Sequence, residues 1–224
     1  MRARRLGKLL FVFAIAAAWL AAAQAAHAAF VVSYYNFNTY NGTDLTISPN
    51  QGAGSITINP LGSGFTGNFS GSTINALGAD PAGTSLSLIA GTSQVNNGAS
   101  ITIQFSTLGL TDIALSFATQ RTSTGFSSNQ LAYSLDGVNF TNFGSPITPA
   151  SSFALVTFDL SSITALNNQA TVYLRYTLNG ATSNAGNNRI DNLQVTAIAV
   201  PAPANLALAA IGGLCFGIRR LRRS

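Results

Sequence analysis

The stretch between the two apolar ends of the chain, residues 29–199, carries little reactive chemistry. It lacks Glu, Lys, Cys and His, since His27 and Cys215 lie outside it. Histidine or thiolate zinc sites and Ser/His or Cys/His nucleophile pairs are therefore excluded there. Its acidic side chains are Asp44, Asp80, Asp112, Asp136, Asp159 and Asp191. Two of them flanking a sugar linkage would suffice for a glycosidase, but none stands in a recognisable catalytic motif, so we expect no enzyme.

A second set of functional candidates is an aromatic and a guanidinium side by side. Residues 172–178 alternate in polarity, which places Tyr173 and Arg175 on the face opposite Val172, Leu174 and Tyr176. A tyrosine next to an arginine on a strand face can stack on a sugar and pair with it. A solvated strand face explains the two residues equally well, and both interpretations stay open.

The pattern that must position these side chains has a period of two. Apolar and polar residues alternate over 55–58, 101–105, 113–117, 172–178 and 193–197, which is typical of half-buried strands. Turn pairs such as Asn97-Gly98 and Asn179-Gly180 separate them, and Asp136-Gly137 predicts a tight hairpin. The sequence therefore predicts an all-β, antiparallel jelly-roll β-sandwich over 29–199, with one helical turn near 161–166. The expected core residues are Ile101, Ile103, Phe105, Leu115, Phe117, Val172, Leu174, Tyr176, Leu193 and Val195.

Both ends of the chain look like sorting segments. Four basic residues precede an apolar run over 9–23, and small residues at Ala26 and Ala28 predict signal-peptide cleavage after Ala28. At the other end, an apolar run over 204–218 predicts a short transmembrane helix, closed by the arginines Arg219, Arg220, Arg222 and Arg223. The predicted domains are a signal peptide (1–28), the exported sandwich (29–199) and a tail (200–224).

The net charge of +5 belongs to these ends. Eight of the eleven basic residues lie there, which leaves three arginines against six aspartates in the exported stretch, a net charge of −3. A nucleic-acid partner is excluded because binding to phosphates needs clustered positive charge.

The tail resembles the sorting signal of PEP-CTERM proteins of Gram-negative bacteria. The resemblance rests on Val200, Pro201 and Pro203, the apolar run and the arginine cluster, with Ala202 where the family usually has Glu. It implies that a transpeptidase-like membrane enzyme, exosortase, processes the tail while the protein is held transiently in the inner membrane. The mature protein would then lie at the cell surface or outside the cell.

The middle of the chain resembles jelly-roll domains of the galactose-binding-like type, on residues 133–143 and 188–195. That resemblance implies a structural calcium ion between the first and last strands, with Asp191 as ligand and Asn36, Asn38 or Asp44 as partners, since calcium prefers oxygen ligands. The alternative is no cofactor, with Asp191 paired to Arg189 or accepting amides of a turn. The main functional expectation is a structural or interaction protein of the envelope or extracellular matrix. The alternative is a carbohydrate-binding module for extracellular polysaccharide.

Overall fold

The computed structural model describes residues 29–200. The predicted signal peptide with Ala26 and Ala28, and the tail from Pro201 onward with its arginine cluster, lie outside the described residues. Within 29–200 the only helical pieces are two 3-10 turns, at Thr92–Gln94 and Thr164–Leu166. No helix in this range has the length and apolar character needed to cross a membrane.

The described residues form thirteen strands in two antiparallel sheets. The seven-stranded sheet contains β1 (Phe30–Tyr35), β3 (Gln51–Gly52), β5 (Thr66–Ser70), β6 (Thr84–Ile89), β8 (Leu110–Arg121), β11 (Ala154–Asp159) and β13 (Asn187–Ala199). The six-stranded sheet contains β2 (Thr46–Ile47), β4 (Ser55–Asn59), β7 (Ser100–Phe105), β9 (Ser128–Ser134), β10 (Thr141–Ile147) and β12 (Val172–Asn179).

The strand order is that of a jelly roll. Numbering β6 to β13 from one to eight, one sheet runs 1-8-3-6 (β6-β13-β8-β11) and the other 2-7-4-5 (β7-β12-β9-β10). This is the double Greek key in which nearly every connection crosses between the sheets. Strand β1 adds to the edge of β13 beside β6, and β4 adds to β7. The predicted antiparallel jelly-roll sandwich is confirmed.

The core lies between the sheets. All ten residues predicted to be buried have a side-chain exposure of 3% or less. The ring of Phe117, from the seven-stranded sheet, lies 5.3 Å from that of Tyr176, from the six-stranded sheet, at an interplanar angle of 71°. Such edge-to-face contact between aromatic rings stabilises the packing of the two layers beyond the burial of area.

Two local expectations are confirmed with changes. The chain around Asp136-Gly137 is a hairpin between β9 and β10, in which Tyr133 pairs with Thr141. Six residues separate these strands, so the hairpin is wider than the tight turn that Asp-Gly favours. The expected helical turn is the 3-10 turn Thr164–Leu166, and the Oδ1 atom of Asp159 accepts the Ser161 N–H before it (3.0 Å).

Candidate functional site

The outer face of the six-stranded sheet is built from aligned rows of polar side chains. Because side chains alternate along a strand, the partners of outward residues also point outward. The rows are Asn142, Ala132, Arg175, Thr102, Thr57 and Thr46; then Ser134, Tyr173, Gln104 and Ser55; then Gln130, Thr177, Ser100 and Asn59. Apart from Arg175 and Ala132, every member is an uncharged residue with a hydroxyl or amide group.

Arg175 is the single charged residue of this face. Its guanidinium carbon lies 3.8 Å from the centre of the Phe140 ring, which is a close cation–π contact. The side chain is half-buried, and its Nε atom is buried without a hydrogen-bond partner. The sequence placed Arg175 correctly on the outer side of β12, but gave no signal that Phe140 would cover it.

The loop of residues 135–140, between β9 and β10, also contacts Tyr173. A Cβ atom on Gly137 would lie 3.1 Å from Cζ of the Tyr173 ring, so the loop backbone passes close over that ring. Tyr173 and Arg175 are therefore both placed on one face, as expected, and both are partly covered by the same loop. The open part of the face lies on β7 and β4, where Gln104, Thr57 and Asn59 are exposed.

Asp136 fixes the conformation of this loop. Its carboxylate accepts the N–H groups of Val138 (2.9 Å) and Asn139 (2.8 Å), the Asn139 side-chain amide (2.7 Å) and the Ser134 hydroxyl (2.8 Å). These donors hold the pKa of the Asp136 carboxyl below its ordinary value. The loop that covers Tyr173 and Arg175 is thus ordered by its own hydrogen bonds.

A cleft of about 370 Å³ continues the open face at one end of the sheet. It is lined by Ala53, Gly54, Ser55, Gln104, Phe105, Ser106, Ala170 and Thr171. Ser55 and Gln104 also belong to the row that contains Tyr173. The cleft and the polar rows therefore form one continuous surface.

Asp191, the predicted calcium ligand, is fully buried on the outer side of β13 beneath the segment of residues 71–83. Its carboxylate accepts the backbone N–H groups of Ser72 (2.6 Å) and Asn192 (2.9 Å). Burial raises the pKa of this carboxyl to about 7, against the opposing effect of these two hydrogen bonds. Of the two alternatives to a calcium site, the hydrogen bonds from backbone amides to Asp191 are present. Calcium binding by Asp191 stays a prediction.

The residues predicted to bind calcium together with Asp191 make other contacts in the structure. The side-chain amide of Asn36 donates to Asp80 (3.1 Å), and the Oδ1 atom of Asn38 accepts the Thr84 N–H (3.1 Å). Asp44 is exposed and lines a separate cleft. Within residues 29–200 no three Asp, Glu, His or Cys residues are grouped as a metal site requires.

The side chain of Tyr34 lies among the residues around Asp191 and Asp80. The sequence analysis did not identify it as a site residue. Its hydroxyl donates to the Asn192 side-chain oxygen (2.8 Å) and accepts the Leu77 N–H (3.1 Å). Burial is the main cause that raises the pKa of Tyr34 to about 12, with the carboxylates of Asp80 and Asp191 adding to it. Strands β1 and β13 pair with each other. The contact between the first and last strands that the jelly-roll resemblance implied is therefore present.

None of three clefts in the described part of the chain has two carboxylates on its walls. The cleft next to β7 has none, the second holds Asp44 and the third holds Asp80. The arrangement that a glycosidase would need, with two aspartates facing each other across a cleft, is absent from these three.

No protein-family model and no curated protein matches the chain. Among solved structures, it is similar to the carbohydrate-binding module TmCBM61 in complex with β-1,4-galactotriose (9% identity, TM-score 0.42, covering 71% of this chain and 92% of that one). It is also similar to the K2 cleaved adhesin domain of Lys-gingipain (13%, 0.47, 75% and 97%). A third is domain 4 of an extracellular GH43 arabinanase from Geobacillus stearothermophilus with arabinotriose (14%, 0.41, 77% and 95%).

Proposed function

We propose that the sandwich domain binds carbohydrate through the outer face of its six-stranded sheet. The observation that carries this proposal is the composition of the aligned rows, which offer hydroxyl and amide groups with one aromatic ring and one guanidinium. Sugar hydroxyls both donate and accept hydrogen bonds, so Asn, Gln, Ser and Thr side chains suit them in either role. Strands hold these groups more rigidly than loops would.

The size of the face favours a chain of sugars over a single one. Neighbouring strands lie about 4.8 Å apart and alternate residues of one strand roughly 6.7 Å apart, so the three rows on β12, β7 and β4 cover an area of roughly 10 by 13 Å. The loop over Tyr173 and Arg175 borders one side of the open area, and the cleft at Ser55 and Gln104 extends it. An oligosaccharide that runs along the direction of β7 and β4 would cross all three polar rows.

A pull-down of the full chain in detergent, on a panel of immobilised neutral and acidic polysaccharides, tests the proposal. The double variant Gln104→Ala, Thr57→Ala removes two exposed polar groups from the face and should weaken binding about thirtyfold, since each hydrogen bond contributes about 1 kcal/mol. The control is Thr157→Ala, an exposed threonine on β11 of the other sheet. Unchanged binding by the double variant, or no binding to any polysaccharide, would contradict the proposal.

We further propose that this domain is exported, without enzymatic activity, to the envelope or extracellular matrix of a Gram-negative bacterium. The support is the sequence of the two ends, namely a signal peptide and a tail that resembles an exosortase substrate. A transient stay in the inner membrane would precede release of the domain to the surface. A domain that binds extracellular polysaccharide would itself be a matrix component, so the structural role and the binding role agree.

The arginine cluster of the tail tests the sorting proposal. Replacing Arg219, Arg220, Arg222 and Arg223 by Gln should leave unprocessed or misplaced protein, because positive charge keeps a C-terminus on the cytoplasmic side. The measurement is cell fractionation followed by mass determination of the product. Full-length wild-type protein residing stably in the inner membrane, with no shortened form, would count against processing.

A further inference from the structure

Arg175 differs from Arg121 in its hydrogen bonds, because one of its donors has no partner. Arg121 donates from Nε to the Pro149 carbonyl (3.1 Å) and from Nη1 to the carbonyls of Thr122 (3.2 Å) and Ser123 (3.0 Å). The Nε atom of Arg175 is buried and has no hydrogen-bond partner. The guanidinium of Arg175 therefore has fewer hydrogen-bond partners in the protein than that of Arg121.

The surroundings of Arg175 keep its guanidinium in a fixed orientation. Phe140 stacks on one side at 3.8 Å, and β7 and β9 flank its strand, with Thr102 and Ala132 as the paired residues. A guanidinium held by its flat face presents its N–H groups at the edge, in the plane where a carboxylate is bound by two parallel hydrogen bonds.

No acidic residue of the rows neutralises this charge. The rows contain no aspartate. The covering loop has one, Asp136, whose carboxylate is already bonded to donors of Ser134, Val138 and Asn139. The rows themselves therefore carry one positive charge and no negative charge, although residues 29–199 have a net charge of −3.

We infer that the glycan bound by this face is acidic and carries carboxylates, as in a polysaccharide of uronic acids, with Arg175 as the residue that selects it. This inference rests on the proposed function of the same surface. The carboxylate would accept hydrogen bonds from the Arg175 guanidinium, while the neighbouring hydroxyl and amide side chains bind the sugar hydroxyls. Nothing covalent changes in this recognition.

A matched pair of polymers tests how much the carboxylate contributes to binding. Polygalacturonate and its methyl ester have the same sugar chain and differ in whether the carboxylates are free. The full chain in detergent should bind the free acid about tenfold more tightly or better, since a hydrogen bond to a charged group contributes about 1.5–3 kcal/mol. Arg175→Gln should abolish the preference, and added salt should weaken it. Alginate serves as a second uronate.

Two further variants separate recognition from folding. Phe140→Leu keeps the charge of Arg175 but removes the stacking ring, and should reduce the preference without abolishing it. Arg189→Gln is the matched control, because that guanidinium also lies over a ring, 4.9 Å from Phe69, and its Nε atom is also buried without a partner, but on the seven-stranded sheet. It should leave the preference unchanged. Each variant is accepted only if its melting temperature stays near that of the wild type.

The outcomes distinguish the two claims. Equal binding of the acid and its ester, or an intact preference in Arg175→Gln, overturns the carboxylate inference while carbohydrate binding stands. Binding of neutral glycans with no binding of either uronate also overturns it. Failure to bind any polysaccharide overturns the proposed function and the inference with it.

Discussion

Stability should fall as the pH rises from 5 to 8, because of Asp191. Burial raises the pKa of its carboxyl to about 7 in the folded protein, from an ordinary value of 3.8. The folded state therefore holds a proton that the unfolded state has lost, and the stabilisation this gives disappears as pH rises through 7. With these two values the loss of stability between pH 5 and pH 8 is about 3 kcal/mol. For a domain of this length it corresponds to a fall in Tm of roughly 5–10 °C.

Other groups contribute little to this pH range. Residues 29–199 contain no histidine. The carboxylates of Asp136 and Asp159 accept hydrogen bonds that lower their pKa values, so they stay ionised from pH 5 to pH 8. Asp159→Asn should accordingly keep the wild-type pH dependence, while Asp191→Asn should flatten it because the titrating group is gone.

Thermal unfolding at pH 5 and pH 8, in EDTA, is the assay. A Tm at pH 8 equal to or above that at pH 5, or an Asp191→Asn variant with the wild-type slope, would refute the assignment to a buried carboxyl. Repeating the pH 8 measurement with millimolar calcium tests the predicted metal site. Calcium bound to ionised Asp191 would raise the Tm, because only the folded state gathers the ligands. An unchanged melting curve would rule the site out.

Four further substitutions, one of them a control on the surface, test the packing. Gly71→Ala should destabilise by about 1–3 kcal/mol, since the new Cβ would collide with the backbone oxygen of Ala82 and a carboxylate oxygen of Asp191; a neutral result in urea unfolding would mean that the 71–83 segment moves freely. Phe117→Ala should cost about 3–5 kcal/mol in the same assay, and exposed Leu155→Ala under about 0.5. Thr107→Val should cost about 1–3 kcal/mol, because the buried hydroxyl donates to a backbone carbonyl at 2.6 Å; equal stability of this variant would count against that bond.

Two features of the structure could not be predicted from the sequence. Residues 95–105 and 166–176 are similar to each other in residue type, position by position. The structure places their strands side by side in one sheet, with Ile103 opposite Leu174. The six-residue loop that brings Phe140 over Arg175 also departs from the tight turn predicted at Asp136-Gly137.

The sequence by itself determined five of the strands (β4, β7, β8, β12 and β13), ten residues of the core and the available chemistry. Alternation with a period of two fixes which side of a strand is buried, so Ile101 and Val172 could be assigned to the core, and Tyr173 and Arg175 to the outer face, without knowing their neighbours. Composition alone limited the exported stretch to aspartate, amide, hydroxyl and three guanidinium groups. Only the tertiary structure decided which groups meet. Asp191 is buried because Ser72, 119 positions earlier in the chain, lies over it, and Arg175 is held because a loop from another hairpin covers it. Such contacts depend on strand order and on how loops pack, which local alternation does not encode.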